Sequence, residues 1–165
     1  MSEIVVPSID VVIPVYNAPV LTKRCIDSVV SYLGESIEHI YIQNDASNAE
    51  TRGMLDSLSY DITHIHHSIK NQGFGASVND AISRSSASYI LVLNSDTEMN
   101  GNILPPLCAA MSVDSQLAVI IPASNDCIHG DFNRYLRQPG NYIRTYRLRG
   151  YAFLIRRSVF QEIGG

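Results

Sequence analysis

The sequence has few of the residues that cross-link or anchor small proteins. It contains no tryptophan and only three cysteines among 165 residues. Cys25, Cys108 and Cys127 are odd in number and widely spaced, without a CxxC pair, which argues against a disulfide framework and against a structural zinc site. The simplest interpretation is that these thiols are reduced and mostly buried, as in a cytoplasmic protein.

Long apolar runs and an excess of positive charge are also absent. No stretch approaches about 18 uncharged apolar residues, so no transmembrane helix is predicted, and the early Glu3 is not typical of a signal peptide. The 12 basic residues are outnumbered by 16 acidic ones, so nucleic acid is not an expected partner. An apolar content of 45% with 17% charged residues excludes the disordered and fibrous classes.

Short apolar runs rich in β-branched residues alternate with helical patterns along the first three quarters of the chain. This alternation predicts an α/β fold, with a mostly parallel sheet covered by helices on both faces. The predicted strands are Ile9–Val15, His39–Gln43, Ile62–His66, Tyr89–Leu93, Leu117–Ile121 and Arg149–Ile155. The predicted helices are Pro19–Leu33, Ala49–Leu58, Ala76–Ser85, Leu104–Met111 and Arg157–Ile163.

The organisation along the chain predicts a single domain, residues 1–165, in which the mass of 18.2 kDa suffices for one core. Residues 9–122 carry the regular alternation. Residues 123–148 are polar and irregular and are predicted to form a long loop. Residues 149–165 return to a strand and a helix.

Polar residues follow four of the predicted strands directly. They form the segments Pro14–Asn17, Asn44–Ser47, Asn71–Gly75 and Asn94–Glu98. Because the carboxyl ends of parallel strands lie at one edge of a sheet, these segments predict a shared polar pocket. Its acids, Asp45, Asp96 and Glu98, would need a divalent cation to accept a diphosphate. The glycine-rich turn matches neither the Walker pattern nor GxGxxG.

Two other features have simpler alternatives. His64 and His66 would share one face of a strand and offer two metal ligands, but no third ligand is evident and a solvated strand end is the plainer interpretation. Arg156 and Arg157 are interpreted as a solvated pair at a strand end, with phosphate contact as the alternative.

Four motifs in this order resemble family 2 glycosyltransferases of the GT-A fold. They are VVIPVYN at Val11–Asn17, NDAS at Asn44–Ser47, NQGFGASVNDAI at Asn71–Ile82 and LVLNSDTE at Leu91–Glu98. A later segment, RGYAFLIRRSVFQEIGG at Arg149–Gly165, is similar to that family's acceptor-side strand and helix. The closest likeness is to the rhamnosyltransferase-like branch.

The resemblance implies a Rossmann-like GT-A sheet and a glycosyltransferase of cell-wall or polysaccharide biosynthesis. Such an enzyme transfers a sugar with inversion from a UDP-, dTDP- or GDP-linked donor to a saccharide or lipid-linked acceptor. Residues 9–122 would then be the nucleotide-binding core, and residues 149–165 would begin the acceptor side. Peripheral membrane association or self-association is expected where an apolar surface is left uncovered.

The resemblance also implies roles for individual residues. Asp45 would hydrogen-bond the nucleobase, since a carboxylate accepts from a ring N–H. Asp96 matches the last acid of the family's DxD motif and would bind Mn²⁺ or Mg²⁺ between the donor phosphates. The residues expected to line the donor nucleotide are Pro14, Tyr16, Asn17, Asp45, Asn71, Gly73, Ala76, Asn79, Asn94 and Ser95.

The sequence departs from the family at two points. Asn94 replaces the first acid of DxD, which removes one charge from the metal site. In that family the carboxylate base usually follows the final glycine pair. The catalytic base is therefore predicted to be absent from this chain. None of Glu162, Asp126 and Asp131 matches the position of that base. Two alternatives therefore stay open: a nucleotide-sugar-binding module without transfer activity, and a metal-dependent enzyme related to nucleotidyltransferases.

Overall fold

The computed structural model describes residues 7–122, 141–144 and 150–164 of the chain. In chain order its strands are β1 Ile9–Val15, β2 Ile40–Asn44, β3 Thr63–His67, β4 Tyr89–Leu93, β5 Val119–Ile120 and β6 Ala152–Arg156. Its α-helices are α1 Pro19–Leu33, α2 Ala49–Asp56, α3 Phe74–Arg84, α4 Leu104–Val113 and α5 Arg157–Glu162. The predicted alternation of strands and helices is confirmed.

The six strands form one mixed sheet in the order β3-β2-β1-β4-β6-β5. The strands β1 to β4 are parallel, whereas β6 runs antiparallel to both β4 and β5. The chain builds outward from β1 through β2 to β3 and then returns to place β4 on the other side of β1. This reversal leaves a crevice at the carboxyl ends of β1 and β4, which is where ligands bind in open α/β sheets.

The sheet is covered on both faces, because alternate residues of β1 and β4 enter two different apolar clusters. Val11 and Ile13 pack with buried residues of α1, α2 and α4. Val12 and Ile90 pack with buried residues of α3 and α5. Strands that are buried on both faces consist of continuous runs of apolar residues, which explains the sequence pattern of β1 and β4.

Pro14 lies inside β1, although proline cannot donate a ladder hydrogen bond. The pairing of β1 with β4 reaches only as far as Val12 opposite Val92. Beyond that point only β2 flanks the strand, with Pro14 opposite Gln43. The pairing of β1 with β4 therefore ends before Pro14, at the edge where the strand order reverses.

Most elements begin or end a few residues from their predicted bounds, and the start of α3 has a clear local cause. Helix α3 begins at Phe74 rather than Ala76, because Gly73 adopts φ 85° and its carbonyl accepts from the Ser77 N–H at 3.0 Å. The strand predicted over residues 149–155 is observed as Ala152–Arg156. Most of the loop predicted over residues 123–148, and residue 149, lie outside the described residues.

No helix in the described part of the chain is long and apolar enough to cross a bilayer. Cys25 is buried and Cys108 is half-buried, and both thiols are free, as the sequence suggested. Cys127 lies outside the described residues.

Arg156 and Arg157 are both half-buried, and their guanidinium groups donate to backbone carbonyls, which neither interpretation of the pair anticipated. The Arg156 guanidinium donates to the carbonyls of Met111, Leu117 and Asp114 and to the Tyr89 hydroxyl. The Arg157 guanidinium donates to the carbonyls of Ala87 and Ile82. These arginines fasten β6 and α5 to the turns that precede β4 and β5.

Replacing Arg156 by methionine is expected to destabilise the fold by about 2 to 3 kcal/mol, because hydrogen bonds from a charged donor are lost and their carbonyls stay half-buried. The measurement is the free energy of unfolding in urea. The control Lys70→Met removes a cation from an exposed position. It should change the free energy of unfolding by less than about 0.5 kcal/mol. Equal losses in the two variants would contradict the structural role of Arg156.

Candidate functional site

The loops after β1 and β2 are joined by a pair of backbone-to-side-chain hydrogen bonds. Asn17 adopts a left-handed conformation with φ 63°, which asparagine tolerates better than most residues. Its N–H donates to Ser47 Oγ at 2.9 Å, and its own Oδ1 accepts from the Asn48 N–H at 2.9 Å. The two loops therefore form one connected rim at the carboxyl edge of the sheet.

The loop after β2 is in turn joined to the glycine-rich turn by Asp45. This carboxylate is only 4% exposed. Its Oδ1 accepts from the Gln72 N–H at 2.8 Å and its Oδ2 from the Gly73 N–H at 2.9 Å. The Asn71 side chain also donates to the Asp45 carbonyl, at 3.3 Å. A buried carboxylate is stable only when such donors replace water, so Asp45 fixes the turn that starts α3.

The loop after β4 is attached to β6 and α1. The Asn94 N–H donates to the Tyr151 carbonyl at 2.9 Å, and the Asn94 carbonyl accepts from the Thr97 N–H at 3.0 Å. The buried Cys25 thiol lies 3.5 Å from the same carbonyl. Burial raises the pKa of Cys25 to about 12, so the thiol is neutral at physiological pH and is placed to donate to that carbonyl.

The structure brings the predicted donor residues to one edge of the sheet but exposes them to different degrees. Pro14 and Asp45 are buried. The half-buried members are Asn17, Gly73, Asn94 and Ser95. The exposed members are Tyr16, Asn71, Ala76, Asn79 and Asp96. The exposed residues would meet a ligand first, and the buried ones hold the loops that carry them.

The acids of this edge are not equivalent. Glu98 pairs with Arg24 at 2.9 Å. Asp96 has neither an ion pair nor a hydrogen-bond partner among the described residues. The Asp96 carboxylate and the Asn94 amide oxygen are hard donors of the kind that Mg²⁺ and Mn²⁺ select.

The residues of this edge therefore fit a metal that is held jointly with a ligand. No three histidine, cysteine, aspartate or glutamate side chains of the described part come together as a metal site. Mg²⁺ commonly binds through one or two carboxylates plus the phosphates of its substrate. The site as built matches that pattern and not a cage made by the protein alone. Among the described residues, His64 and His66 are not part of such a group; His64 faces His39 at 3.1 Å and His66 faces Gln43 at 3.2 Å.

Sequence reasoning missed the residues that tie the loops together. Ser47 bonds Asn17, and the Gln72 N–H bonds Asp45, yet neither was singled out. The buried Asn44, which bonds the Ser47 N–H at 3.1 Å, was also missed. The two amide residues that end β2, Gln43 and Asn44, were the available signal, because a buried amide needs fixed partners.

Replacing Asp45 by asparagine is expected to loosen the turn at Gln72 and Gly73, because an amide NH₂ would face one of the two backbone donors. We expect a loss of about 2 kcal/mol in unfolding free energy and faster hydrogen exchange at the Gly73 amide. The matched control is Asp61→Asn, a change at an exposed position that should alter neither quantity. Unchanged exchange at Gly73 in the Asp45 variant would contradict the clamp.

Comparison with known proteins supports this reading of the fold. The family model described as glycosyl transferase family 2 matches residues 10–164. A curated relative, "Glycosyltransferase GlyA" from Streptococcus pneumoniae, is 24% identical over 88 residues, which is 53% of this chain and 13% of that protein.

Solved structures share the fold at low sequence identity. The mannosyltransferase PcManGT from Pyrobaculum calidifontis, solved with GDP-Man and Mn²⁺, superimposes with a TM-score of 0.75 at 15% identity, over 96% of this chain and 47% of that one. GalNAc-T7 with UDP, GalNAc and Mn²⁺ gives 0.75 at 18% identity, over 96% and 36%. TarS 1-349 from S. aureus gives 0.70 at 16% identity, over 94% and 49%.

This chain thus spans about half the length, or less, of the proteins that it matches. The family model nevertheless covers nearly every residue from the first strand to the last helix. The Rossmann-like GT-A fold, with its mostly parallel sheet and two helical layers, is confirmed. The chain belongs to glycosyl transferase family 2.

Proposed function

We propose that this chain binds a nucleotide-diphosphate sugar at the carboxyl edge of β1, β2 and β4 and acts as the donor-binding part of a glycosyltransferase. The observation that carries the proposal is a series of hydrogen bonds at this edge. The Asn17 N–H donates to Ser47, Ser47 and the Asp45 N–H both donate to the Val15 carbonyl, and the Asp45 carboxylate accepts from the Gly73 N–H. This series holds three loops in fixed positions around one crevice. The nucleotide sugars and nucleotides named with the similar structures support this ligand class.

The nucleoside end of the ligand would lie between the loops after β1 and β2. Each Asp45 oxygen uses one lone pair on a backbone N–H and keeps another, so the carboxylate can hold the turn and still accept from a base N–H. Tyr16 offers a ring that is 59% exposed, a surface on which a base can stack. Ala76 and Asn79, both exposed on α3, would border the ribose.

The diphosphate end would lie at the loop after β4. Asn94 and Asp96 would hold Mn²⁺ or Mg²⁺ through their oxygens, with Ser95 between them. When bound, such an ion acts as a Lewis acid that stabilises the leaving diphosphate. Because Asn94 contributes no charge, Asp96 supplies the only negative charge that this pair gives to the ion.

The acceptor side of the reaction needs a carboxylate to deprotonate the attacking hydroxyl in transfer with inversion. The acids described at this edge are committed elsewhere: Asp45 holds the turn, Glu98 pairs with Arg24, and Asp96 is assigned to the metal. We therefore assign no catalytic base in the described part. The same observation favours the second candidate, a module that binds a nucleotide sugar without transferring it.

Calorimetric titration with UDP, dTDP and GDP, each with and without Mn²⁺, tests the proposal. We expect one nucleotide to bind in the presence of Mn²⁺ and Asp96→Ala to weaken that binding at least ten-fold, because the ion loses its charged ligand. Asp61→Ala, an exposed acid outside the site, serves as the control and should bind like the natural chain.

Failure of all three nucleotides to bind with Mn²⁺ would contradict the proposed function, and unchanged affinity in the Asp96 variant would contradict the metal assignment. Release of free nucleotide from its sugar conjugate on adding a saccharide acceptor separates transfer from binding alone. Release of pyrophosphate from a nucleoside triphosphate would instead indicate a nucleotidyltransferase.

A further inference from the structure

His67 lies at the carboxyl end of β3, the outermost strand on one side of the sheet, and both of its ring nitrogens have a partner. Nδ1 lies 2.7 Å from the Asn44 side-chain nitrogen. Nε2 lies 2.9 Å from a carboxylate oxygen of Asp56. The ring is therefore held between β2 and α2, and its partner on β2, Asn44, directly precedes Asp45 in the chain.

The hydrogen bonds around Asn44 define which ring nitrogen carries the proton. The Ser47 backbone N–H can only donate, so the atom that it faces at 3.1 Å is the Asn44 amide oxygen. The other end of the amide, which faces His67, must then be the NH₂ group, and a donor there requires an acceptor on the ring. In this arrangement the His67 ring has no proton on Nδ1 and carries its proton on Nε2, toward Asp56.

This network continues into the proposed donor site. Asn44 fixes the Ser47 N–H, and Ser47 Oγ accepts from the Asn17 N–H. We propose that His67 is a positioning residue, whose neutral Nε2–H form holds Asn44, Ser47 and Asn17 in the arrangement that receives the nucleotide. The predicted effect on nucleotide binding rests on the proposed function, whereas the hydrogen-bond network around His67 does not depend on it.

A second proton on the His67 ring, at Nδ1, would be incompatible with this arrangement of hydrogen bonds. A second ring N–H would face the Asn44 NH₂ group, donor against donor. Rotating the amide by half a turn would relieve that conflict but place the NH₂ against the Ser47 N–H. In either case one hydrogen bond of the loop is lost, and the constraint on Asn17 weakens.

Asp56 of α2 is the charged side chain that contacts His67 in the described part of the chain, with its Oδ1 2.9 Å from Nε2. Arg52 Nε lies 3.8 Å from the same carboxylate. The Asn44 amide on β2 is neutral and presents its donor group to the ring.

The first test is made on the free protein by NMR, with the ring nitrogens of His67 and the backbone amides of Ser47 and Asn17 followed between pH 8 and pH 5.5. We expect the ring to show the Nε2–H form at pH 8. As the ring gains its second proton, both amides should shift with the same midpoint. An Nδ1–H ring at pH 8, or amides that do not follow the ring, would overturn the proposal whether or not a nucleotide binds.

The second test measures the affinity for whichever of UDP, dTDP and GDP binds with Mn²⁺. Under acidic conditions that protonate the ring, the natural chain should lose about five-fold in affinity relative to pH 7.5, the effect of one hydrogen bond. His67→Gln offers a carbonyl for Asn44 and an N–H for Asp56 without a titrating proton. It should keep the affinity measured at pH 7.5 and show no such loss. His67→Phe, which has no acceptor, should be weaker at both pH values.

His64→Gln is the matched control, since His64 lies on the same strand and faces His39 instead of the site. It should retain both the affinity and the pH dependence of the natural chain. A His67→Gln variant that still loses affinity in acid would overturn the positioning role, and so would a His67→Phe variant that binds like the natural chain. If no nucleotide binds at all, the proposed function fails, and the NMR titration alone decides the role of His67.

Discussion

The pairing of β1 with β2 on one side and β4 on the other determines where every functional loop of this chain can lie. Because these strands are parallel, their carboxyl ends share one edge. The hydrogen-bonded pairing of β1 with β4 ends before Pro14. The buried Asp45 then fixes the loop after β2 relative to the glycine-rich turn, since its carboxylate accepts from two backbone N–H groups of that turn.

The residues proposed to bind the ligand at this edge also have structural roles. Asn17 and Asp45 were expected to touch the ligand, and both also hold neighbouring loops through short hydrogen bonds. Such a site is preorganised, so little ordering is left to be done when a ligand arrives. It also means that a variant at either position changes the shape of the crevice together with its chemistry, and a loss of affinity there has two physical causes.

The fold could be predicted from the sequence because its signals are local. The continuous apolar runs of β1 and β4 and the helical stripe of α1 each identify their own element, and alternation supplies the parallel sheet. The links between loops could not be predicted in this way. The contact of Asn17 with Ser47 spans 30 residues and that of Asp45 with Gly73 spans 28. The hydrogen bonds of Arg156 and Arg157 could not be predicted for the same reason, because a guanidinium that donates to distant carbonyls cannot be told in sequence from one that is solvated.

These long spans have a consequence for how the protein assembles. Contacts between residues far apart in sequence form only after the intervening chain has been closed into a loop, and parallel pairing is slow for that reason. The crevice therefore does not exist in a partly folded chain that has formed only one strand–helix unit. A ligand that recognises the crevice binds the folded state alone, and by mass action it raises the stability of the whole sheet rather than that of one loop.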